Sequence, residues 1–315
     1  MKPGEVAREG LGAPAADLGR VVTGPDVRRG HRALDFFSLT KPRLNLLVLL
    51  TTLGGLYIAS PEGVPIALAV HTMLGTALVA GGAAALNQVW ERDTDRLMRR
   101  TSRRPLPSRR LQATESTWFG VVLCAAGLIE LVVAVNVTAA WVAAVTLISY
   151  VLFYTPLKTR SSLSTLVGAV PGALPPVIGW AAAAGSITLP AVVLFGIVFF
   201  WQMPHFLAIA WMHRDDYARA GIPLLPVLEP DGRKTGRQAL QYALALGPVS
   251  LMPVLVGIAG PPYAAAAVLL WAVMMRATVR FARVRSTEHA RSLFVYSIAY
   301  LALLWTALVV DRLWL

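Results

Sequence analysis

The sequence predicts an all-α, polytopic membrane protein, a bundle of nine transmembrane helices. Three observations predict it: a composition too apolar for a soluble domain, apolar blocks long enough to cross a bilayer, and basic residues that all but one fall on the same side of those blocks. The chain is 56% hydrophobic and 15% charged over 315 residues, with a mean hydropathy of +0.59. Soluble domains carry about a quarter charged residues, and about 20 apolar residues span the roughly 30 Å of hydrocarbon. Blocks of that kind fall at 44–60, 64–88, 117–135, 139–157, 164–184, 189–212, 239–259, 262–282 and 293–312. Most lack the polar face that a soluble core helix of similar length would show.

The segment before the first block, residues 1–34, is read as a flexible cytoplasmic tail, and 35–315 as one intramembrane domain. The tail mixes Gly, Pro, Ala and scattered charge and holds no apolar core of signal-peptide length. Its Glu5, Glu9, Asp17 and Asp26 argue against a cleaved targeting peptide. Alternate connections between blocks are short and built of Gly, Pro or polar residues: Ser60-Pro61-Glu62-Gly63, Asn136-Val137-Thr138, Gly185-Ser186-Ile187-Thr188 and Gly260-Pro261-Pro262. Pro171, Pro175, Pro176, Pro204, Pro248 and Pro253 lie inside blocks, where they are expected to kink helices and favour an internal cavity. The Gly/Ala runs at 81–85 and 181–185 suit close helix packing. The single cysteine, Cys124, excludes a disulfide within the chain and reads as a small packed hydrophobe.

With nine spans, 28 of the 29 Lys and Arg residues lie on one side, and only Arg312 falls on the other. A different span count would scramble that segregation. The positive-inside rule then puts the amino terminus in the cytoplasm and the carboxyl terminus outside. It also accounts for the net charge of +12 without a nucleic-acid partner. The expected location is a bacterial cytoplasmic (inner) membrane or an organelle's equivalent.

The most informative stretch begins at the basic end of the second block. Asn87, Glu91 and Asp95 are spaced four apart, which stacks them on one helix face. Two carboxylates and an amide oxygen form a hard, oxygen-only set suited to Mg²⁺ that is also held by substrate phosphates. Arg92, Arg96, Arg99, Arg100, Arg103 and Arg104 follow, and arginine forks bind phosphate oxygens in pairs. A solvated loop would account for the arginines equally well. It would not account for carboxylates beside hydrocarbon, which are costly there. Together the two groups suggest a lipid diphosphate.

This stripe resembles the first acidic motif, Asn-x-x-x-Asp-x-x-x-Asp, of the UbiA superfamily of intramembrane prenyltransferases, with Glu91 at the middle position. The local text through Arg103-Arg104-Pro105-Leu106-Pro107 is similar to the branch that farnesylates haem. So are Leu39-Thr40-Lys41-Pro42-Arg43, Tyr154-Thr155-Pro156-Leu157-Lys158, Gln202-Met203-Pro204-His205-Phe206, and Asp216-Tyr217 with Ala220-Gly221-Ile222-Pro223. The resemblance covers residues 35 to 312, and the motifs are specific jointly. Many relatives carry a second Asp-rich motif after the sixth helix. Here Asp215 and Asp216 are present but the upstream acids are not, which leaves a second Mg²⁺ open.

The resemblance implies an Mg²⁺-dependent enzyme that takes farnesyl diphosphate and haem B. Asn87, Glu91 and Asp95 would hold the metal, with Asp215 and Asp216 as candidates for a second ion. Lys41, Arg43, Arg92, Arg96, Arg103, Arg104, Tyr154, Lys158, Arg160, Arg214, Asp216 and Tyr217 would line the substrate site. A haem vinyl group would take the farnesyl carbon, and water would complete a hydroxyethylfarnesyl group. Haem A synthase or terminal-oxidase assembly would be partners by pathway alone. His205, inside an apolar block beside Pro204, is open between an iron ligand, a propionate contact, a water-positioning group and a hydrogen-bonded packing residue. His71 reads as a packing residue. His213 is undecided, and Glu130 is either paired in the bundle or snorkelling outward. Trp141, Trp305 and Trp314 read as interfacial anchors. The rivals are an aromatic prenyltransferase, which predicts a complete second Asp motif, and a transporter, which more naturally carries its charges near the bilayer midplane.

Overall fold

The computed structural model describes the backbone of residues 27–313; the expected tail up to residue 26, and Trp314, lie outside the described residues. Among the described residues, eight helices are long and apolar enough to cross a membrane, and a ninth apolar helix of 17 residues, α2 (Pro42–Ile58), precedes them. At 1.5 Å per residue α2 reaches about 25 Å, so it serves as the first of nine crossings. Before it lies α1 (Val27–Leu39). The remaining crossings are α3 (Ile66–Leu97), α4 (Ala113–Ala134), α5 (Val137–Ile148) with its continuation to Leu157, α7 (Ser164–Ala173) with α8 (Pro175–Ala184), α9 (Leu189–Met212), α12 (Arg233–Leu255), α13 (Pro261–Val284) and α14 (Thr287–Arg312). Short helices α10 (Arg214–Arg219) and α11 (Leu225–Leu228) stand between α9 and α12.

The spans form a ring. Each packs on its neighbours in sequence, α9 also meets α14, and α2 closes the circuit through α8 and α14. Bilayer helices gain no hydrophobic drive from touching each other, so close backbone approach must supply the packing. Two crossings show this. In α3 and α4, a Cβ at Gly82 would come 2.5 Å from Cys124 Sγ, and one at Gly127 would come 2.6 Å from the Gly75 carbonyl oxygen. Between α2 and α8, a Cβ at Gly179 would fall on the Thr52 carbonyl oxygen and one at Gly55 on that of Pro176. Cys124 is buried in the first of these seams, as a small packed residue.

Three features of helix geometry shape the ring. The helix that starts as α5 passes through a π-helical turn at Ser149–Tyr154 and ends in α6 (Thr155–Leu157). The fifth crossing breaks at Leu174, where Pro175 and Pro176 start α8, while α9 and α12 run through Pro204, Pro248 and Pro253 without interruption. Lastly, α3 continues nine residues beyond the apolar block that ends at 88, and carries its polar stripe as regular helix.

The basic end of the ring is capped. Met98 packs with Tyr217, Ala220, Ile222 and Leu224, joining the connection after α3 to the one after α9. The expected boundary at residue 34 falls inside α1, which docks on this cap: Leu39 is buried against Ala85, Leu106 and Leu111, Phe36 meets Phe119 at 5.1 Å, Arg110 pairs with Asp35 at 2.9 Å, and Arg32 pairs with Glu115. At the opposite end His71 Nδ1 meets Glu130 Oε1 at 2.6 Å across α3 and α4. Glu130 is therefore paired across two helices, at a half-exposed site.

Gly179→Val should overpack the α2–α8 crossing. Overpacking of this kind typically costs about 1–3 kcal/mol, and a lower Tm in detergent than for wild type is the expected result, with Gly196→Ala, which meets only a Val249 methyl at 3.2 Å, far milder.

Candidate active site

The stripe on α3 is buried although it is polar. Asn87, Glu91 and Asp95 are 1%, 5% and 1% exposed. Charge held this far from water needs a partner, and each member has a cation from a different element. Lys41 Nζ donates to Asn87 Oδ1 at 2.9 Å. Lys158 Nζ donates to Glu91 Oε1 at 2.9 Å. Arg104 Nη1 donates to Asp95 Oδ2 at 2.8 Å. Asn87 Nδ2 links the row by donating to Glu91 Oε1 at 2.9 Å and to Thr155 Oγ1 at 3.1 Å.

Local structure aims these groups. Lys41 sits at φ 48°, in the left-handed region, between α1 and the Pro42 that opens α2, so its side chain leaves a sharp corner. The π-helical turn sets the other side. Thr155 N–H and Oγ1 both donate back to the Tyr150 carbonyl, five residues earlier, and the extra residue per turn brings Thr155 and Lys158 onto α3. Such turns recur at functional sites. Tyr150 and Tyr154 stack at 5.3 Å on this turn, and Gly168 of α7 leaves room for the Tyr154 ring.

Burial draws the Lys41 ammonium down to about 8, against the pull of Glu91 and with Arg104 and Lys158 repelling it. Lys158 moves the other way: burial opposes its charge, but Tyr154, Glu91 and Tyr217 around it raise its pKa above the ordinary lysine value. The site thus holds cations and carboxylates at close range.

Of the residues expected in the site, the structure brings together Asn87, Glu91, Asp95, Lys41, Arg104, Lys158 and Tyr154. Asp216 belongs to the cap above, where its Oδ1 accepts from the Arg99 N–H at 3.4 Å and pairs with Arg219; Tyr217 bridges the two, near Lys158 on one side and accepting from Arg100 at 3.5 Å on the other. Other expected residues are placed elsewhere. Arg92 bonds the Val89 carbonyl of its own helix and pairs with Asp93. Arg96 bonds the Pro107 carbonyl. Arg214 lies over the Trp211 ring at 4.7 Å. Arg43, Arg103, Arg160 and Asp215 are exposed. Among the described residues no three Asp, Glu, His or Cys side chains gather as a metal cluster, so Asp215 and Asp216 find no third acid. Thr155 and Tyr150 were not singled out by the sequence, because nothing in it marks a π-helical turn.

The donor set of the stripe fits Mg²⁺. All its donors are oxygens, and Mg²⁺ is commonly held by one or two carboxylates with substrate phosphates completing the shell. The three cations that now face the stripe would meet those phosphates.

His205 stands apart, on α9 facing α14. Its ring stacks on Phe294 at 4.9 Å and on Trp201 at 5.0 Å, and Nδ1 lies 2.7 Å from Ser297 Oγ. Ser297 Oγ also donates to the Phe294 carbonyl at 2.6 Å. A hydroxyl has one proton. When that proton stays on the Phe294 carbonyl, Nδ1–H donates to Ser297 and the lone pair is left on Nε2. A fixed tautomer of this kind is how a neighbour prepares a histidine to bind a metal or accept a proton.

A model of the UbiA prenyltransferase family matches residues 48–306. The chain belongs to the UbiA prenyltransferase family. A UbiA-family enzyme is a prenyltransferase, and this agrees with a buried acidic stripe ringed by cations. The chain is similar to the protoheme IX farnesyltransferase of Solibacter usitatus, 47% identical over 88% of this chain and 98% of that protein, and to the protoheme IX farnesyltransferase of Myxococcus xanthus, 45% identical over 89% and 95%. Among solved structures, one of a digeranylgeranylglyceryl phosphate synthase superposes with a TM-score of 0.77 at 16% identity, covering 90% of this chain and all of that one. A UbiA homologue from Archaeoglobus fulgidus, bound to GPP and Mg²⁺, gives a TM-score of 0.62 at 15% identity over 87% and 99%. At those identities the likeness is one of fold.

Removing one partner of a buried pair typically costs about 3–5 kcal/mol, because the other charge is left alone. Lys158→Met should therefore lower stability markedly, and adding Glu91→Gln to it should recover much of the loss. Chemical or thermal unfolding of the two variants in detergent measures the difference.

Proposed function

We propose that the chain transfers the farnesyl group of farnesyl diphosphate to a vinyl group of haem B, with addition of water and release of diphosphate. The observation that carries this is the 47% identity to a protoheme IX farnesyltransferase over 98% of its length. The buried Asn87/Glu91/Asp95 stripe with its three cations supports it chemically. The incomplete second Asp motif favours haem over an aromatic acceptor, and the clustering of charge at one rim of the bundle disfavours a transporter.

In this reading the diphosphate would lie against Lys41, Arg104 and Lys158, and Asn87, Glu91 and Asp95 would hold Mg²⁺. When bound, the metal neutralises charge on the diphosphate, making it a better leaving group. The lysines and the arginine stabilise the negative charge that grows as the allylic C–O bond breaks. Their existing pairing keeps them positioned before substrate arrives, so little reorganisation is needed at reaction. The terminal vinyl carbon of haem B forms the new C–C bond to the first farnesyl carbon. The cation left beside the porphyrin takes the oxygen of water, and that water gives up one proton. The vinyl π electrons are nucleophilic without a base. A base is needed only for the water.

His205 suits the last step or the iron. Its free lone pair on Nε2 can accept the proton from the attacking water or ligate haem iron, whereas contact with a propionate would call for an N–H there. The basic end of the bundle faces the cytoplasm of a bacterial cell in this reading, by the distribution of Lys and Arg. The proposed division into a tail of residues 1–34 and an intramembrane domain from 35 on is kept with its boundary moved to the start of α1, since Val27–Leu39 is one helix docked on the domain.

The test is an assay of purified protein with haem B, farnesyl diphosphate and Mg²⁺, the haems then separated and weighed. Wild type should yield haem heavier by one farnesyl group and one hydroxyl group, and Glu91→Gln should lower the rate at least about 100-fold. Prenylation of an aromatic acid in place of haem would refute the acceptor. Ser297→Ala should cut turnover about tenfold or more while leaving farnesyl diphosphate affinity unchanged, since it frees the His205 tautomer without touching the diphosphate pocket. An unaltered turnover in Ser297→Ala would remove the role given to the tautomer.

A further inference from the structure

On the outer flank of the ring, away from the stripe, the basic halves of α13 and α14 leave between them a groove of about 390 Å³. Arg276 and Arg280 line one wall, spaced four apart on one face of α13; Glu288, His289, Ser292 and Tyr296 line the other. Neither arginine makes an ion pair or a side-chain hydrogen bond with any described residue, and the same holds for the Ser292 and Tyr296 hydroxyls. Every candidate donor of the pair is thus free to face a ligand.

The surroundings say what kind of ligand. Arg276 lies eight residues before the end of α13 at Val284, about 12 Å along the helix, so it sits well within the crossing and not beyond it. Below it the flank is apolar and exposed: Val273, Leu269 and Val295 are 41%, 67% and 56% accessible. An arginine at that depth is costly without an anionic partner. Glu288 does not supply one. It lies in the first turn of α14, where the helix dipole favours a carboxylate, and it is beyond ion-pair distance from both arginines. The groove therefore offers two guanidinium forks and two hydroxyls at the polar boundary, continuous with a hydrocarbon-facing surface. Guanidinium forks match phosphate oxygens, and basic pockets between transmembrane helices at this level take lipid head groups.

We propose that this groove binds the phosphate of an anionic phospholipid, with the acyl chains lying along the Val273–Leu269 flank. The α14 wall of the groove is the back of the helix face that holds Phe294 and Ser297 against His205. A lipid bound here braces the α13–α14 pair from outside the ring.

The experiment is thermal unfolding of the full chain in detergent, titrated with phosphatidylglycerol, with phosphatidylcholine, and with inorganic phosphate or diphosphate. Wild type should rise in Tm by several degrees with phosphatidylglycerol and much less with phosphatidylcholine. Arg276→Gln with Arg280→Gln should weaken the apparent phosphatidylglycerol affinity about tenfold or more. Glu91→Gln, altered in the other phosphate pocket, should keep the wild-type response to the lipid. Equal protection of wild type and the double variant overturns the proposal. Protection by inorganic phosphate at the same concentration, lost in the double variant, overturns the lipid as ligand and assigns the groove to free phosphate. Should the glutamine pair fail to fold, Arg276→Lys with Arg280→Lys keeps the charge and loses the forks. Its lipid response should fall at least threefold in affinity, and an unchanged response overturns the proposal just as plainly.

Discussion

Two carboxylates and an amide held out of water at the edge of the hydrocarbon are the constraint on which the rest of this structure depends. Each is 5% exposed or less, and an ionised carboxylate left alone in such a place costs several kcal/mol. The compensation is not local. Lys41 comes from the corner before α2, Arg104 from the connection after α3, and Lys158 from the end of the fourth crossing. The α3 stripe is therefore tolerable only when three separate pieces of chain have arrived, which gives the connections at the basic end a reason to be structured. At the opposite end the demand is met by the turn itself: Asp311, 5% exposed, accepts from the backbone N–H groups of Gly260 and Tyr263, and the turns there are a few residues of Gly, Pro and polar side chains.

That arrangement also explains why assembly of the site costs the enzyme little at the moment of reaction. The cations are already in place, paired and partly desolvated. A diphosphate entering with Mg²⁺ would exchange partners within the cluster: lysine and arginine move from carboxylate to phosphate oxygen, and the carboxylates move to the metal. The cations are held in place before the substrate arrives, so the attraction of the site for it is not spent on ordering side chains. The raised pKa of Lys158 and the lowered one of Lys41 belong to the same picture. One lysine is embedded among groups that favour its charge, and the other is more weakly supported at a buried corner.

Legibility in the sequence depends on which forces act along the chain and which act across it. The nine crossings were legible because hydrocarbon imposes a length on every one of them. The stripe was legible because a four-residue spacing on a helix is a local fact, and α3 does run through it as regular helix. Lys41, Arg104 and Lys158 stood among the expected residues, but so did Arg43, Arg92, Arg96, Arg103 and Arg160. Nothing local separates an arginine that meets a carboxylate from one kept at the surface by the sidedness of the membrane. Thr155 was missed because its position depends on a π-helical turn, a backbone choice with no residue signature. The partner of Glu130 was hidden for a simpler reason: His71 is 59 residues away and meets it only across α3 and α4. The docking of α1, through Leu39, Phe36 and Asp35, is likewise a contact between distant segments.

The basic residues sort by what they face, and that sorting explains how one rim can serve several purposes. Arg104, Arg110 and Arg32 meet carboxylates and knit the cap to the helices. Arg92 and Arg96 spend their donors on backbone carbonyls. Arg276 and Arg280 face outward from the ring, and no carboxylate among the described residues is in ion-pair contact with them. A single excess of positive charge is enough to orient the chain in a membrane, because that rule reads only the sum. Chemistry reads geometry instead: an arginine works on phosphate only where its fork is free or its partner can be exchanged. On the inner side of the ring the exchangeable partners are Asp95, Glu91 and Asn87; on the flank there is none to exchange. Phosphate-binding capacity is thus separated by the wall of helices itself. On the proposed reading the inner site takes a ligand that brings its own metal, and the flank one that brings its own hydrocarbon.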